Sequence, residues 1–414
     1  MALYRTRNKY DYYLFFLIIS LAFGNIGGAY QVPRVLAILS LPLLIKTGGI
    51  KNKYVYPIFL FFIILYAYGL FSLIWTPDIT NGLKEAIYLP VHMLFFLEIV
   101  VFSRQSNKAI TTLAWAWTTM IILTSIIGIW EINTGNHLWL SKFQDELWLR
   151  GDVDAIKHQV ASCTFGNYNT FVTVLSMGVI FISYAVYQAD IKWMQLFGVI
   201  GLISIVYIVG NNASRGGVLS VGVSIVVLLW YSMRQVSYKG FGRFFLILSM
   251  LLLMAYFWGN QFYSYMSIRT QGTSFIEDES RMGLYRSALE VTMGTYYGLG
   301  AGMGGGLEAM HIHRAYSQLW AVHNFFAEFL VDYGIVWFLV LLIFIVKMLI
   351  TGIRLRDKRR KMVVLAALFT LLPMSVINSG YLDHVSTWAY FSSLFVFVYY
   401  ERIRCVRQGV LQVA

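Results

Sequence analysis

Runs of about 20 mostly apolar residues constrain this chain more than any other feature, because that is the length a helix needs to cross a hydrocarbon core. They recur about twelve times, near 11–29, 32–46, 54–76, 85–103, 110–130, 168–187, 193–212, 216–232, 244–259, 325–350, 362–379 and 386–400. A water-soluble fold would need polar surface to cover so much apolar chain. Charged residues are only 13% of the sequence against 58% hydrophobic, and mean hydropathy is +0.64, so that surface is absent. The expected fold class is all-α, a polytopic helical membrane protein with about twelve transmembrane helices. No small-residue cleavage site follows the first run, which reads as a retained helix and not a signal peptide. The second run is short and carries Pro33 and Arg34 at its outer end. The run at 325–350 reads as a surface helix that enters the bilayer near Gly334.

Orientation follows from Lys and Arg. With the N-terminus in the cytoplasm, the inner segments hold Arg5, Arg7 and Lys9; Lys46, Lys51 and Lys53; Arg104 and Lys108; Lys192; Arg234, Lys239 and Arg243; "RLRDKRRK" at 354–361; and Arg402, Arg404 and Arg407. These are most of the 32 basic residues. Both termini are then expected in the cytoplasm. The net charge of +12 is a topology signal that calls for no nucleic acid, and the "KRR" run at 358–360 reads as an anchoring inner loop. Cys163 and Cys405 fall towards opposite sides and form neither a disulfide framework nor a metal-ligand spacing. Charges embedded in spans are limited, on this reading, to Glu98 and Lys347.

Two outside loops are long, at about 131–167 and 260–323. The later one gathers Arg269, Arg281, Arg286 and Arg314, His311, His313 and His323, and the glycine run "GLGAGMGGG" at 298–306. Cations on the outer side run against the positive-inside bias, so they are functional hypotheses. Arg215 in "NNASRGG" (211–217) falls between two spans, beside residues that suit a tight turn or helix break. Its planar guanidinium matches phosphate oxygens, and a helix start beside glycines adds backbone N–H donors. A headgroup anchor is the alternative. Arg281 is expected in the first turn of an amphipathic helix starting near Ser280, with Leu284, Leu289, Met293, Tyr285 and Ala288 as its apolar residues. The glycine run lets backbone approach a ligand, yet it has neither the preceding strand nor the Lys of a P-loop. His323, just before the helix at 325, titrates near neutrality and can take a proton from a hydroxyl.

Four blocks, "TFGNYNTF" (164–171), "NNASRGG" (211–217), "SRMGLYRSALEVTMGTYYGLGAG" (280–302) and "HNFFAEFLVDYGIVWF" (323–338), resemble the O-antigen ligase/polymerase family in order, spacing and topology. These are bacterial membrane glycosyltransferases of envelope polysaccharide assembly. The resemblance covers roughly 130–400, which divides the chain into N-terminal transmembrane helices at 1–130 and a family core at 131–414. Tyr168 stands where the family usually has Pro. The resemblance implies a glycan donor on undecaprenyl diphosphate, used at the outer face of the cytoplasmic membrane, and a glycan or lipid-linked acceptor. Arg215 and Arg281 match positions that hold the diphosphate, and His323 matches the base that deprotonates the acceptor hydroxyl. Arg150, Arg286, Arg314, Asn324 and Asn169 are further candidate substrate contacts. The outer aromatics Trp139, Trp148, Tyr285, Tyr296 and Trp320 could stack on sugars, although interfacial packing is the favoured reading for any one of them. Direct displacement with one base implies inversion. No metal and no cofactor are implied, since Arg takes the role a divalent ion plays elsewhere. Implied partners are the lipid bilayer, a flippase and a chain-length regulator.

Within the family, ligases resemble His-[Asn/Ser/Gln]-x9-Gly-x-x-[Gly/Thr/Tyr]. His323, Asn324 and Gly334 fit, but Trp337 takes the last place. Arg150 and Gly166 match an Arg-x15-Gly spacing seen in polymerases, and Glu328 and Asp332 after the His look more like capsule or exopolysaccharide polymerases. The reading favours polymerase, with O-antigen ligase as alternative. A lipid-linked oligosaccharide flippase would place its charges near mid-bilayer. A polyprenyl-monophosphate enzyme would show acidic residues after the first span, where "GNIGGAYQVPR" has none. A non-catalytic assembly scaffold is the remaining alternative.

Overall fold

The computed structural model describes residues 8–141, 160–233, 276–314 and 321–405. Among them every regular element is helical. The helices are α1 (Lys9–Ile19), α2 (Val32–Thr47), α3 (Tyr56–Ser72), α4 (Ile79–Gln105), α5 (Ala109–Thr134), α6 (Tyr168–Gln188), α7 (Lys192–Asn211), α8 (Arg215–Met233), α9 (Ile276–Glu290), α10 (Gly306–His313), α11 (Phe325–Ile353), α12 (Lys358–Ser375) and α13 (Val385–Cys405). A helix occupies each stretch read as a span except 244–259, which lies outside the described residues, as do Arg150, Trp148, Arg269 and Trp320. By length and composition, α4, α5, α6, α7 and α11 can each cross a membrane.

The chain divides into two compact units, with boundaries inside α5, near the start of α9 and on either side of α12. In the first unit α4 is the hub, contacted by α1, α2, α3 and α13. Its residues Phe95 to Ser103 are all buried. In the second unit α8 packs on α12 and α6, and α6 packs on α7. Small residues permit the close approaches: a Cβ at Gly217 would collide with Val172, and one at Gly178 with Ile121.

Asparagine and aspartate set the helix starts. Asp78 caps α4, Asn167 caps α6, Asn324 caps α11 and Asp357 caps α12, each through its side-chain oxygen. Such a cap satisfies N–H groups that a helix start leaves without partners, and is worth about 1 kcal/mol. The Asp78 cap moves the start of α4 to Ile79, several residues before the expected 85, and so takes Lys84 into the helix. Asn167 likewise starts α6 at Tyr168, so the missing Pro leaves that helix start intact.

α11 is broken at Gly334, where φ is 78° and ψ is −179°. The glycine run explains the break. Gly298, Gly300, Gly302 and Gly304 all have positive φ, and the Gly298 carbonyl accepts the Ile335 N–H (2.9 Å). Ala301 and Gly302 donate to the Val331 and Asp332 carbonyls at 2.6 and 3.0 Å. On its other side the run bonds to Tyr68, Ser72, Trp75 and Asn81 of α3, α4 and their connection. A Cβ at Gly300 would collide with the Gly334 backbone. The expected close backbone approach is therefore made, but to the protein's own helices.

Candidate functional site

The second unit carries Arg215 as the first residue of α8, exposed. The turn before it has Ala213 in the left-handed region (φ 46°), and the Ser214 hydroxyl accepts the Gly217 N–H (3.3 Å). Asn212 is fully buried, its Oδ1 accepting the Ala161 N–H (2.6 Å) and its Nδ2 donating to the Ala161 carbonyl (2.9 Å). Glu131, also fully buried, accepts the Ser162 and Cys163 N–H groups on Oε2, both at 2.8 Å. Its Oε1 accepts the Leu138 N–H (3.3 Å), with His137 Nδ1 at 3.7 Å. Burial pushes the Cys163 thiol up to about 12, away from the thiolate form. Asn169 is half-buried in the first turn of α6, its N–H donating to Asn167 Oδ1 (2.7 Å).

The first unit carries the remaining described candidates. Here one expectation is corrected: α9 is already helical at Ile276, before Ser280, which puts Arg281 beyond its first turn. An acidic run such as Glu277–Glu279 is a favourable helix beginning. The apolar face is corrected too. Leu284 and Ala288 are buried as expected, but Leu289 and Met293 are about half exposed. A π-helical turn at Val291–Thr295 shifts the register, so Val291 and Thr292 turn inward instead. Leu284, Ala288, Val291, Ala301, Ala309, Met310, Val322 and Val331 form one core, which seats His323 beside the α9 platform through its neighbour Val322. His323 is half-buried with φ 45°. Asn324 Oδ1 accepts the Phe326 and Ala327 N–H groups at 2.9 and 3.3 Å, so that oxygen serves as a helix cap.

Arg286 and Arg314 both lie against α9. Arg314 Nη1 donates to Ser287 Oγ (3.0 Å). Arg286 is exposed and bonds Glu290 (2.9 Å), which also meets His313 Nε2 (3.3 Å). The Arg286 hydrogen bond, then that of His313, holds the Glu290 carboxyl below its ordinary range. His311 meets Glu308 (3.3 Å). Tyr285 and Tyr296 pack against the core, which accounts for them without a sugar, whereas Trp139 is exposed.

The first unit also assembles ionisable groups that sequence reading left apart, correcting the expectation that embedded charge stops at Glu98 and Lys347. Buried Arg34 lies over the Tyr88 ring (4.1 Å) and donates through Nε to His92 Nε2 (3.1 Å) and through Nη2 to the Asp383 carbonyl (3.1 Å). His92 Nδ1 and Trp388 Nε1 both donate to the Leu382 carbonyl, at 3.1 and 2.9 Å. Glu328 accepts the Gly380 N–H on Oε1 (2.8 Å) and the Tyr381 N–H on Oε2 (3.1 Å). Asp332 accepts the Gly306 N–H (2.8 Å), and Glu85 faces the Gly304 amide. Desolvation raises the Asp383 carboxyl above its ordinary value, against the pull of Arg34. Desolvation, with Arg34 second, pushes His384 down to about 4. The available signal was ionisable residues inside apolar stretches, Arg34 and His92 above all. Among the described residues no group of three or more His, Cys, Asp or Glu is placed to hold a metal ion.

Four non-glycine residues have positive φ among the described residues: Cys163, Ala213, Tyr297 and His323. Three lie within the blocks at 211–217, 280–302 and 323–338, and Cys163 directly precedes the block at 164–171. Such conformations are uncommon away from glycine and cluster at functional sites.

No protein-family model matches the chain. It is 24% identical over 290 residues to the teichuronic acid biosynthesis protein TuaE of Bacillus subtilis (strain 168), covering 67% of this chain and 57% of that protein. The chain thus spans somewhat over half the length of the curated relative it matches. The likeness marks a distant relationship to a polysaccharide biosynthesis protein.

Proposed function

We propose that this protein is a membrane glycosyltransferase of cell-envelope polysaccharide assembly. It transfers a glycan from an undecaprenyl-diphosphate donor to an acceptor sugar hydroxyl at the outer face of the cytoplasmic membrane, and acts as a polymerase more than as a ligase. Arg215 and Arg281 neutralise the diphosphate as it leaves, and His323 takes the acceptor proton, giving inversion without a metal. The observation that carries the reading is left-handed backbone within three of the four motif blocks and directly before the other. The relation to a teichuronic acid biosynthesis protein supports the substrate class.

The test is single-turnover transfer by purified protein with an undecaprenyl-diphosphate-linked glycan and a defined acceptor. His323→Ala is expected to abolish transfer while leaving donor binding near normal, because the base touches the acceptor and not the diphosphate. Substantial residual transfer, or loss of donor binding with activity, would make His323 a positioning residue. A product of retained anomeric configuration would remove the one-base mechanism. Labelling at Glu308 from the cytoplasmic side would place the chemistry on the wrong face.

A second reading, a lipid-linked oligosaccharide transporter, is favoured by the buried Arg34, His92 and Glu98. Arg34 and His92 are bonded to backbone carbonyls of their own unit, which suits fastening better than carriage. Absence of transfer with intact donor binding in the wild-type protein would bring that reading forward.

A further inference from the structure

We infer that Asn212 and Glu131 are positioning residues for Arg215, a role that rests on the diphosphate contact proposed for that arginine. A long, exposed arginine is preorganised only as well as the backbone that carries it. Here the carrier is a turn of few residues between α7 and α8, and one of them, Ala213, sits in the left-handed region. Something must over-determine that turn for it to hold one shape.

Asn212 supplies the first constraint. It bonds both the N–H and the carbonyl of Ala161, at 2.6 and 2.9 Å, with no exposed surface. Only a side-chain amide of this length presents one donor and one acceptor side by side; aspartate lacks the donor and leucine lacks both. Glu131 supplies the second. From α5 it grips Ser162 and Cys163, the two residues after Ala161, through one carboxylate oxygen. Cys163 is itself left-handed, so the 161–163 segment is as unusual in backbone as the turn it fastens. The start of α8 has little slack either. Gly217 leaves no room for a Cβ beside Val172, and a Cβ at Gly216 would lie 3.1 Å from Ile377 Cγ1. The links run from Glu131 to the 161–163 segment, on to Asn212, and so to the first residue of α8.

The test uses full-length protein in detergent with undecaprenyl diphosphate as probe, its Kd measured for four proteins: wild type, Asn212→Ala, Arg215→Lys and the double variant. Asn212→Ala is expected to weaken binding by about tenfold, on the scale by which small misplacements of a binding group are felt. In the Arg215→Lys background the same change should weaken it by less than about twofold, because residues acting as a unit are not additive. A merely structural role would lower the binding-competent fraction equally in both backgrounds, so losses that multiply would overturn the inference. So would wild-type affinity in Asn212→Ala. Should Asn212→Ala fail to fold, Asn212→Asp, which keeps the acceptor, gives the same cycle. Unchanged affinity in Arg215→Lys would instead remove the diphosphate contact itself, and the positioning role with it. Impaired Arg215→Lys with multiplying Asn212 losses would leave the contact standing and remove only the positioning role.

Discussion

Each unit fastens one irregular turn with a carboxylate that accepts two consecutive backbone N–H groups, yet the two turns are built differently. In the second unit Glu131 takes Ser162 and Cys163 on a single oxygen, and an uncharged amide, Asn212, completes the hold. In the first unit Glu328 spends one oxygen on Gly380 and the other on Tyr381, and the same turn's carbonyls go to Arg34, His92 and Trp388. One turn is clamped by geometry, whereas the other stands among charges that must balance. The first should tolerate loss of charge and the second should not.

Of the changes that compare the two units, the largest effects are expected at the arginines, one in each unit. Arg215→Lys and Arg281→Lys keep the charge and lose the planar fork. Each should slow transfer by tens- to a few hundred-fold, or on the order of 2–3 kcal/mol, at normal expression. Single-turnover rates decide this, and full activity in both would end the clamp assignment. A loss confined to one variant would assign the diphosphate to that unit alone.

Next comes the contrast between the carboxylates. Gln at 131 can keep the Ser162 and Cys163 N–H groups on one oxygen and gives up only the longer Leu138 bond (3.3 Å), but Gln at 328 must turn its NH2 group toward an N–H now held at 2.8 or 3.1 Å. Glu328→Gln should therefore cost about 1–3 kcal/mol, the penalty for an unsatisfied buried group, and Glu131→Gln clearly less. Denaturation midpoints in detergent measure both. Equal losses would erase the distinction between the turns.

Acid sharpens the same contrast. His384 takes a proton only near pH 4 in the folded chain, against about 6.5 for a free imidazole. The unfolded chain therefore binds the proton first. The stability from neutral His384 is present above about pH 6.5 and is lost as pH falls toward 4. His384→Gln should flatten the fall of the thermal midpoint over that window, and an unchanged slope would show that another group controls it. The smallest effect is expected at Arg286, whose exposed pair with Glu290 contributes little in water. Arg286→Ala should leave stability unchanged while the Glu290 carboxyl, followed by NMR, titrates at higher pH.

The helices were legible because apolar stretches of spanning length announce themselves. Their starts were legible less often. Nothing in the apolar pattern marks Ile79 as a beginning, since the signal is the single Asp78 before it. The charged turn of the first unit was not legible at all, because its partners lie far apart along the chain: Arg34 and Asp383 are 349 residues apart. The turn at Arg215 could be read from its asparagines and glycines, but the bond from Asn212 to Ala161 could not. The glycine run was read correctly as a close-approach segment and given the wrong partner, since a backbone that invites a ligand and one that invites a neighbouring helix have the same composition.

The alternation in that run has a consequence for how the segment can change over time. Left-handed residues fall at every second position, Gly298, Gly300, Gly302 and Gly304, with Leu299, Ala301 and Met303 between them. Surface loops usually accept insertions and deletions, but this one is written in a two-residue frame. Loss of a single residue would shift Leu, Ala or Met into positions that only glycine occupies without strain. Length variants among descendants of this chain should therefore fall outside 298–304, or come in steps of two.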